Sequence, residues 1–194
     1  MDIILASSSP RRRDLLSILV ESFRVVVPHI DESVNDEELP ACYVERLAIS
    51  KAEHCKKEET IVIAADTCVS VENEILGKPV NRDHARAMLQ RLSGRKHQVY
   101  TGLAVLAPTH RHAITVMTTV QFSMLDDALI EGYLNTDEPY DKAGAYGIQG
   151  IAGSFVAAID GSYSSVVGLP LCEVREALQK CGAVMKVAGQ TGER

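Results

Sequence analysis

Residues 3–13, IILASSSPRRR, join a short apolar run to a signal for the start of a helix. The apolar run Ile3 to Ala6 is typical of a buried strand. Ser9 followed by Pro10 is typical of a helix N-terminus, with the serine as N-cap and the proline at the first helical position. A buried strand that leads directly into a helix indicates an α/β protein.

The alternation of strands and helices continues along the chain. Pro40 opens a predicted helix whose apolar residues recur at i, i+3 and i+4 as far as Cys55, and the apolar run Ile61 to Ala65 predicts a strand buried on both faces. Further helices are predicted over 81–94, 126–135 and 171–180, hairpins over 68–76 and 99–122, and strands over 23–27, 155–159 and 165–167. Because parallel-type and hairpin-type connections both occur, we expect a mixed twisted sheet flanked by helices.

Composition limits the classes of protein that this chain can be. With 194 residues, of which 46% are hydrophobic and 24% charged, it can form one sizeable domain or two small lobes that share a cleft. These values exclude an intrinsically disordered chain and a membrane-embedded one. The 20 basic and 26 acidic side chains give a net charge of −6, which counts against general binding of nucleic acid but allows a local basic cluster to bind a small anion.

The cysteines and the apolar runs predict where the protein works. The five cysteines are widely spaced and form no C-x-x-C pair, so we expect no disulfide framework. The apolar run near the N-terminus is too short for a signal peptide, and no run reaches the roughly 18–20 residues of a membrane span. We therefore expect a reduced, soluble, cytoplasmic protein with no membrane association.

The stretch from Ser7 to Arg13 is the first candidate for chemistry. A helix start offers free backbone N–H groups and a positive dipole end, the serines add hydroxyl donors, and the arginines match phosphate oxygens. The alternative is a serine cap followed by solvated arginines. Each arginine in a first helical turn opposes the helix dipole by some tenths of a kcal/mol, so three arginines there are unfavourable unless an anion binds to them. We therefore favour phosphate binding.

Asp66 and Thr67 are the second candidate, since they follow the predicted strand that ends at Ala65. Ligands of open α/β sheets bind beyond the carboxyl ends of strands, where a carboxylate can hold a metal ion or accept a proton. The alternative is that Asp66 only begins a turn or caps a helix. Position alone does not decide between the two.

Two lysines and a glycine-rich segment are further candidates. Lys51 lies on the apolar stripe of its helix. Its position favours an ammonium group that extends to solvent, because lysine is rarely fully buried, and the alternative is that it points into an anion-binding cleft. Lys78 precedes a proline, without the spacing of a P-loop. In the segment 142–150, glycines would let the backbone approach a flat ligand and Gln149 could bind the edge of a base; the alternative is a tight connection between strands.

These stretches, taken in order, resemble the Maf family. The matching motifs are LASSSPRR (5–12), IDE (30–32), ADT (65–67), GKP (77–79), YTG (100–102), DKAGAYGIQG (141–150), SY (162–163) and VVGLPL (166–171). The resemblance extends from Met1 to about Lys180. The chain departs from the family pattern at Ala64, where glycine is common, at Ser165, where asparagine is often found, and in its tail.

The resemblance implies a cytoplasmic nucleoside triphosphate pyrophosphatase. It implies a single Maf-like domain over residues 1–194, with two lobes around a central cleft and the architecture of inosine triphosphate pyrophosphatases. The segment AYGIQG at 145–150 is similar to that of the branch that hydrolyses dTTP and UTP, and modified pyrimidine nucleotides are further candidate substrates. Cleavage between the α- and β-phosphates, a divalent cation (Mg²⁺ or Mn²⁺) as cofactor, and a homodimer are also implied.

The resemblance also implies roles for individual residues. Asp66 matches the proton acceptor, and with Glu32 it would hold the metal ion. Base preference is implied for Arg11, Thr67 and Gln149. The other positions that match the substrate cleft of the family are Ser7, Arg12, Glu32, Lys51 and Lys78.

Two other functions compete with hydrolysis. A non-enzymatic nucleotide sensor that regulates septum formation, the process for which the family was first named, would bind the same triphosphate without cleaving it. A nucleic-acid-binding module could use the arginine cluster. The net charge of −6, with three Phe, six Tyr and no Trp for base stacking, disfavours the second of these.

Overall fold

A computed structural model of the chain describes residues 1–186. Within them, seven strands form one mixed sheet in the order β2-β1-β3-β5-β6-β7, with β4 paired to β3. The strands are β1 (Asp2–Ala6), β2 (Arg24–Val26), β3 (Thr60–Val71), β4 (Glu74–Leu76), β5 (Lys96–Leu106), β6 (Arg111–Phe122) and β7 (Val156–Asp160). β1 runs parallel to β2 and β3, whereas the later pairs are antiparallel, so the predicted mixed α/β sheet is confirmed.

Six α-helices lie within the described residues, and two of them begin at the predicted caps. The six helices are α1 (Pro10–Leu19), α2 (Pro40–Cys55), α3 (Arg82–Leu92), α4 (Asp127–Leu134), α5 (Tyr163–Val167) and α6 (Leu171–Lys180). The predicted caps Ser9 and Asn81 accept the amides of Arg12 and His84 at 3.5 and 2.8 Å. In the part of the chain that the structure describes, none of the helices is long and apolar enough to cross a membrane.

The prediction of one domain over residues 1–194 reaches past the described residues and stays a prediction. Its last positions, 187–194, lie outside them.

The prediction that a strand ends at Ala65 is wrong. β3 continues from Thr60 to Val71, so Asp66 lies in the middle of a strand and not beyond its carboxyl end. The physical reason is the antiparallel pairing with β5, which runs without a break from Val62 to Ser70. The polar residues 66 and 67 are therefore held by a ladder of backbone hydrogen bonds.

The predicted strand at 165–167 is also wrong, because this stretch belongs to the helix α5. The Ser162 hydroxyl oxygen accepts the amide of Ser165 at 3.2 Å and caps the helix. Gly168, with φ of 125°, ends it after little more than one turn. Two local signals, a serine cap and a glycine stop, thus override the β-branched residues between them.

Three apolar clusters pack around the sheet, and residues of β3 belong to all three. On one face of the sheet α2 packs against β1, β3 and β5, and on the other face α1 and α6 pack against the same strands. The third cluster joins the later part of β3, at Val69 and Val71, to α3 and α4. β3 therefore connects the clusters, and Asp66 and Thr67 lie between its residues 61–65, which pack in the first two, and Val69, which packs in the third.

The sheet is open beside these two residues. β1 pairs with β3 as far as Ala64, and β4 pairs with it only from Val69 onward. Between them, within residues 1–186, β3 has a strand partner on its β5 side alone. This gap in the sheet is the floor of the cleft.

Gly102 allows α2 to approach the sheet at this point. It pairs with Asp66 across β3 and β5, and a Cβ atom at Gly102 would lie 2.2 Å from the carbonyl oxygen of Val44 in α2. No other residue type fits there without a backbone shift. The approach of α2 also determines where Lys51, two turns further along the helix, meets β3.

We predict that Gly102→Ala lowers the free energy of unfolding by about 2 kcal/mol or more, because α2 must move away from the sheet. Urea denaturation followed by circular dichroism measures the change. Gly132→Ala in α4 is the matched control, since a Cβ atom there meets nothing within 4 Å. It should be neutral or stabilise by about 0.5–1 kcal/mol. Equal stability of the two variants would contradict the role of Gly102.

Candidate active site

A cavity of about 870 Å³ opens at the gap in the sheet. This volume lies in the range of sites for small organic ligands. Most residues predicted to act at the site line it, namely Arg11, Arg12, Glu32, Lys51, Asp66, Thr67, Lys78 and Gln149. The structure thus brings together residues that are separated by as many as 138 positions in the sequence (from Arg11 to Gln149).

Ser7 is the predicted binding residue that does not line the cavity. It is buried, and its hydroxyl oxygen accepts the amide of Ser9 at 3.1 Å. Ser8 and Ser9 line the wall instead, at the start of α1. The position of Ser7 fits support of this turn, and direct binding of substrate by Ser7 stays a prediction.

A buried ion pair lies at the base of the cavity. The ammonium nitrogen of Lys51 is 2.5 Å from Oδ1 of Asp66 and 2.8 Å from Oε1 of Glu32. Lys51 and Asp66 are only 6% and 7% exposed, whereas Glu32 is exposed. Lys51 therefore points into the cavity, and the expectation from its sequence position that it extends to solvent is wrong. The binding of an anion by Lys51 stays a prediction.

Tyr43 supports the loop that carries Glu32, and the sequence did not single it out. Its hydroxyl donates a hydrogen bond to the Glu32 carbonyl oxygen at 3.0 Å. Burial raises the pKa of Tyr43 to about 12, and the negative charges of Asp66 and Glu32 add to the shift. The hydroxyl therefore remains a donor at neutral pH.

The two carboxylates have the chemistry that a divalent cation needs. Mg²⁺ in proteins takes one or two carboxylates and completes its coordination with phosphate oxygens and water. Glu32 and Asp66 already share one positive charge, the Lys51 ammonium. Residues 1–186 contain no group of three or more His, Cys, Asp and Glu side chains able to hold a metal ion, so phosphate and water would supply the other ligands.

The two cavity arginines are held differently. Arg12 donates from Nε to the Gly168 carbonyl oxygen at 2.8 Å and from Nη2 to the Thr67 hydroxyl at 3.2 Å. Burial lowers the pKa of Arg12 from its ordinary value, and the charge of Asp66 opposes the shift. Arg11 lies 3.9 Å from an oxygen of Asp141. Arg12 is therefore fixed in place, whereas Arg11 has donors free for a ligand.

Glu138 organises the glycine segment beside Gln149, and it too was missed. Its carboxylate accepts the amides of Ile151 and Ala152 at 2.8 and 3.2 Å. A Cβ atom at Gly150 would lie 2.2 Å from this carboxylate, so a side chain there would displace the Glu138 carboxylate from its position. No local signal marks Glu138, because its partners come 13 and 14 residues later. Gln149 lies exposed on the cavity wall.

A buried histidine lies behind the cavity wall. Nε2 of His97 is 2.8 Å from the hydroxyl of Tyr146, which lines the cavity, and the His97 ring packs edge-on against Phe122. Burial lowers the pKa of His97 to about 4. His97 is therefore neutral in the folded protein at pH 7.

We predict that His97 makes stability depend on pH. An unfolded histidine has a pKa near 6.5. The unfolded chain therefore binds the proton more readily, and the contribution of neutral His97 is complete above about pH 6.5 and is lost as the pH falls toward 4. The lower pKa corresponds to a loss of about 3 kcal/mol.

Urea denaturation at pH 7 and pH 4, for the wild type and for His97→Gln, measures this loss. The variant lacks the titrating group and keeps all other acids and bases, so the difference between the two proteins isolates His97. If both lose the same stability between pH 7 and pH 4, His97 does not titrate as described.

Comparison with known proteins gives a consistent result. A family model described as "Maf-like protein" matches residues 2–181. A dTTP/UTP pyrophosphatase of Shewanella oneidensis is 46% identical over 95% of this chain and 100% of its own length. Proteins of the same name from Hahella chejuensis and Vibrio cholerae are 47% and 46% identical, over 93% and 92% of this chain and 92% and 97% of their own lengths.

A solved structure also shows a likeness. The Ham1 protein of Staphylococcus aureus matches 63% of this chain and 72% of its own, with a TM-score of 0.46 and 17% sequence identity. The fold assignment rests on the sheet order and the helix positions described above.

Proposed function

The chain belongs to the Maf-like protein family, and we propose that it is a nucleoside triphosphate pyrophosphatase that hydrolyses dTTP and UTP. The products are the nucleoside monophosphate and pyrophosphate. One observation carries the proposal: the buried cluster of Lys51, Asp66 and Glu32 shares a single cavity with the serine- and arginine-rich start of α1. The names of the similar proteins support the two substrates.

The positive groups of the cavity fit a polyphosphate. A triphosphate carries several negative charges that repel an attacking water, so hydrolysis depends on groups that offset them. Arg11 has free donors, and Lys78 is exposed on the wall and forms no ion pair within residues 1–186. The first backbone amides of α1 add a positive dipole end. These groups would bind the phosphates and stabilise the charge that passes to the departing pyrophosphate.

Glu32 and Asp66 would hold a divalent cation, Mg²⁺ or Mn²⁺. When bound, the cation would supply additional positive charge next to the phosphates. Lys51 would hold both carboxylates in place, since it already bridges their oxygens. The donor set supports a hard cation that prefers oxygen ligands.

Asp66 would act on the water that attacks the α-phosphorus. One of its oxygens bonds Lys51, which leaves the other to orient the water or to accept its proton. The bond from the α-phosphorus to the bridging oxygen then breaks, and that oxygen leaves with the pyrophosphate. A role of Asp66 as metal ligand alone is the alternative for the same position.

Gln149 would contribute to base recognition from the cavity wall. Its amide offers one donor and one acceptor side by side, which matches a carbonyl oxygen and the adjacent N–H of uracil or thymine. A site built around such pairs discriminates against bases that leave its polar groups unpaired. Arg11 and Thr67 would assist Gln149.

The proposal includes the cellular compartment and the oligomeric state of the protein. We propose that residues 1–194 act as one domain with two lobes around this cleft, in the cytoplasm, as a homodimer. The free, exposed cysteines Cys42 and Cys172 fit a reducing compartment. The edge strand β7, with the exposed Ile159, offers a surface that a second copy could cover.

The nucleotide-sensing regulator of septum formation is the less favoured function. A sensor has to bind the nucleotide but needs no acid-base group beside the phosphates. The costly burial of Asp66 and Lys51 would then have no role in its activity. Release of pyrophosphate from dTTP or UTP distinguishes the enzyme from the sensor.

We predict that Asp66→Asn reduces turnover of dTTP and UTP by about a hundredfold or more, because the amide neither accepts the proton nor holds the cation as well. The assay is a panel of nucleoside triphosphates with Mg²⁺, with Mn²⁺ and with chelator, scored for the monophosphate product. Asp160→Asn, on the exposed edge strand outside the cavity, is the matched control. Turnover near the wild-type level in a folded Asp66→Asn protein would refute the role of Asp66.

We predict that Gln149→Glu lowers the kcat/KM of dTTP and UTP relative to purine nucleotides by about tenfold, because the carboxylate loses the amide donor. Gln121→Glu introduces the same charge in β6, away from the cavity, and should leave the ratio unchanged. An unchanged ratio in Gln149→Glu would remove this residue from base recognition.

A further inference from the structure

A chain of hydrogen bonds runs behind the cavity wall from Arg12 to α5. Nη2 of Arg12 lies 3.2 Å from Oγ1 of Thr67, and this oxygen lies 3.0 Å from Oγ1 of Thr101. The Thr101 oxygen lies 2.8 Å from the carbonyl oxygen of Ser165. Thr67 lines the cavity, whereas Thr101 is fully buried and does not.

The chemistry of the four groups determines which atom donates and which accepts in each of these hydrogen bonds. A carbonyl oxygen only accepts, so the single hydroxyl hydrogen of Thr101 must point to Ser165. Thr101 then has only lone pairs for Thr67, so the hydroxyl hydrogen of Thr67 must point to Thr101. Arg12 is a donor without lone pairs, and its N–H completes the chain by donating to Thr67.

Thr67 therefore has no hydrogen left for a ligand. Its hydroxyl oxygen still has one lone pair, so toward the cavity it acts as an acceptor only. A phosphate oxygen or a base carbonyl is itself an acceptor and gains nothing from such a group. The part of a ligand that meets Thr67 must carry a hydrogen on nitrogen or oxygen.

We propose that Thr101 is a positioning residue for base selection, because it turns the Thr67 hydroxyl into an acceptor that recognises the N3–H of uracil and thymine. This inference rests on the proposed function. Cytosine has a lone pair at N3 in place of the hydrogen, so its N3 would face the Thr67 oxygen repulsively. One N–H can be shared between two acceptors, so Thr67 and Gln149, which line the same cavity, can act together.

The test is Thr101→Val, which keeps the shape of the side chain and removes its hydroxyl. The Thr67 hydrogen is then free to turn into the cavity and donate to N3 of cytosine. We expect the ratio of kcat/KM for UTP to that for CTP to fall by about tenfold, the value of one hydrogen bond. Thr101→Ser restores the hydroxyl and should restore the ratio.

Thr118→Val is the matched control for a displacement of α5. Thr118 is equally buried, on the neighbouring strand β6, and its hydroxyl bonds the backbone of Ser162 at the start of α5 without contacting Thr67. This variant should keep the wild-type ratio of UTP to CTP. If Thr101→Val does not fold by circular dichroism, Thr101→Ala, which also lacks the hydroxyl, takes its place.

Calorimetric measurement of the affinities for UMP and CMP tests the same preference for uracil over cytosine without requiring turnover. If the protein binds UMP in preference to CMP but cleaves no triphosphate, the proposed hydrolysis is overturned. The ratio of the two affinities in Thr101→Val then decides the role of Thr101. An unchanged ratio in Thr101→Val, or an equal loss for both bases, would reduce Thr101 to a structural residue and overturn the inference. Failure to bind either nucleotide would overturn both proposals.

Discussion

The contact between Lys51 of α2 and Asp66 of β3 is the constraint on which the cleft depends. Both side chains are almost fully buried, and their charged atoms are 2.5 Å apart. A buried charge that loses its partner costs several kcal/mol, so helix and strand must meet in the one register that joins these atoms. That register requires the close approach of α2 at Gly102, which no side chain would permit. Glu32, the second carboxylate at Lys51, is placed by the same contact.

The gap in the sheet explains how a strand interior can hold chemistry. The middle of a fully paired strand is closed by neighbours on both sides, and its side chains are usually buried by helices. Here β1 stops pairing at Ala64 and β4 starts at Val69, so the start of α1 lies beside Asp66 and Thr67. Backbone donors of a helix, a carboxylate and a hydroxyl therefore meet without a long loop. The backbone hydrogen bonds between β3 and β5 keep Asp66 and Thr67 in place.

The cavity separates groups that are fixed from groups that are free. Arg12 donates hydrogen bonds to Gly168 and Thr67 and so links α1 to the segment after α5. It is therefore fixed in place. Lys78 is exposed, and Arg11 lies beside the exposed Asp141 on the cavity wall. The two adjacent arginines thus differ in what holds them, because Arg12 bonds a backbone carbonyl and a hydroxyl of other elements.

Local patterns in the chain are sufficient for most helices and strands, because a cap or an apolar period acts over a few residues. Ser9 before Pro10 and Asn81 before α3 are such signals, and the motifs between Leu5 and Leu171, taken together in their order, predict the family. Other features depend on residues distant in sequence. β3 runs through Asp66 because β5 pairs with it. Glu138 and Thr101 show no local signal, since Glu138 binds amides 13 and 14 residues away and Thr101 bonds a carbonyl 64 residues away. A hydrogen bond has a direction only once both partners are in place, so the polarity of Thr67 is decided in the folded protein alone.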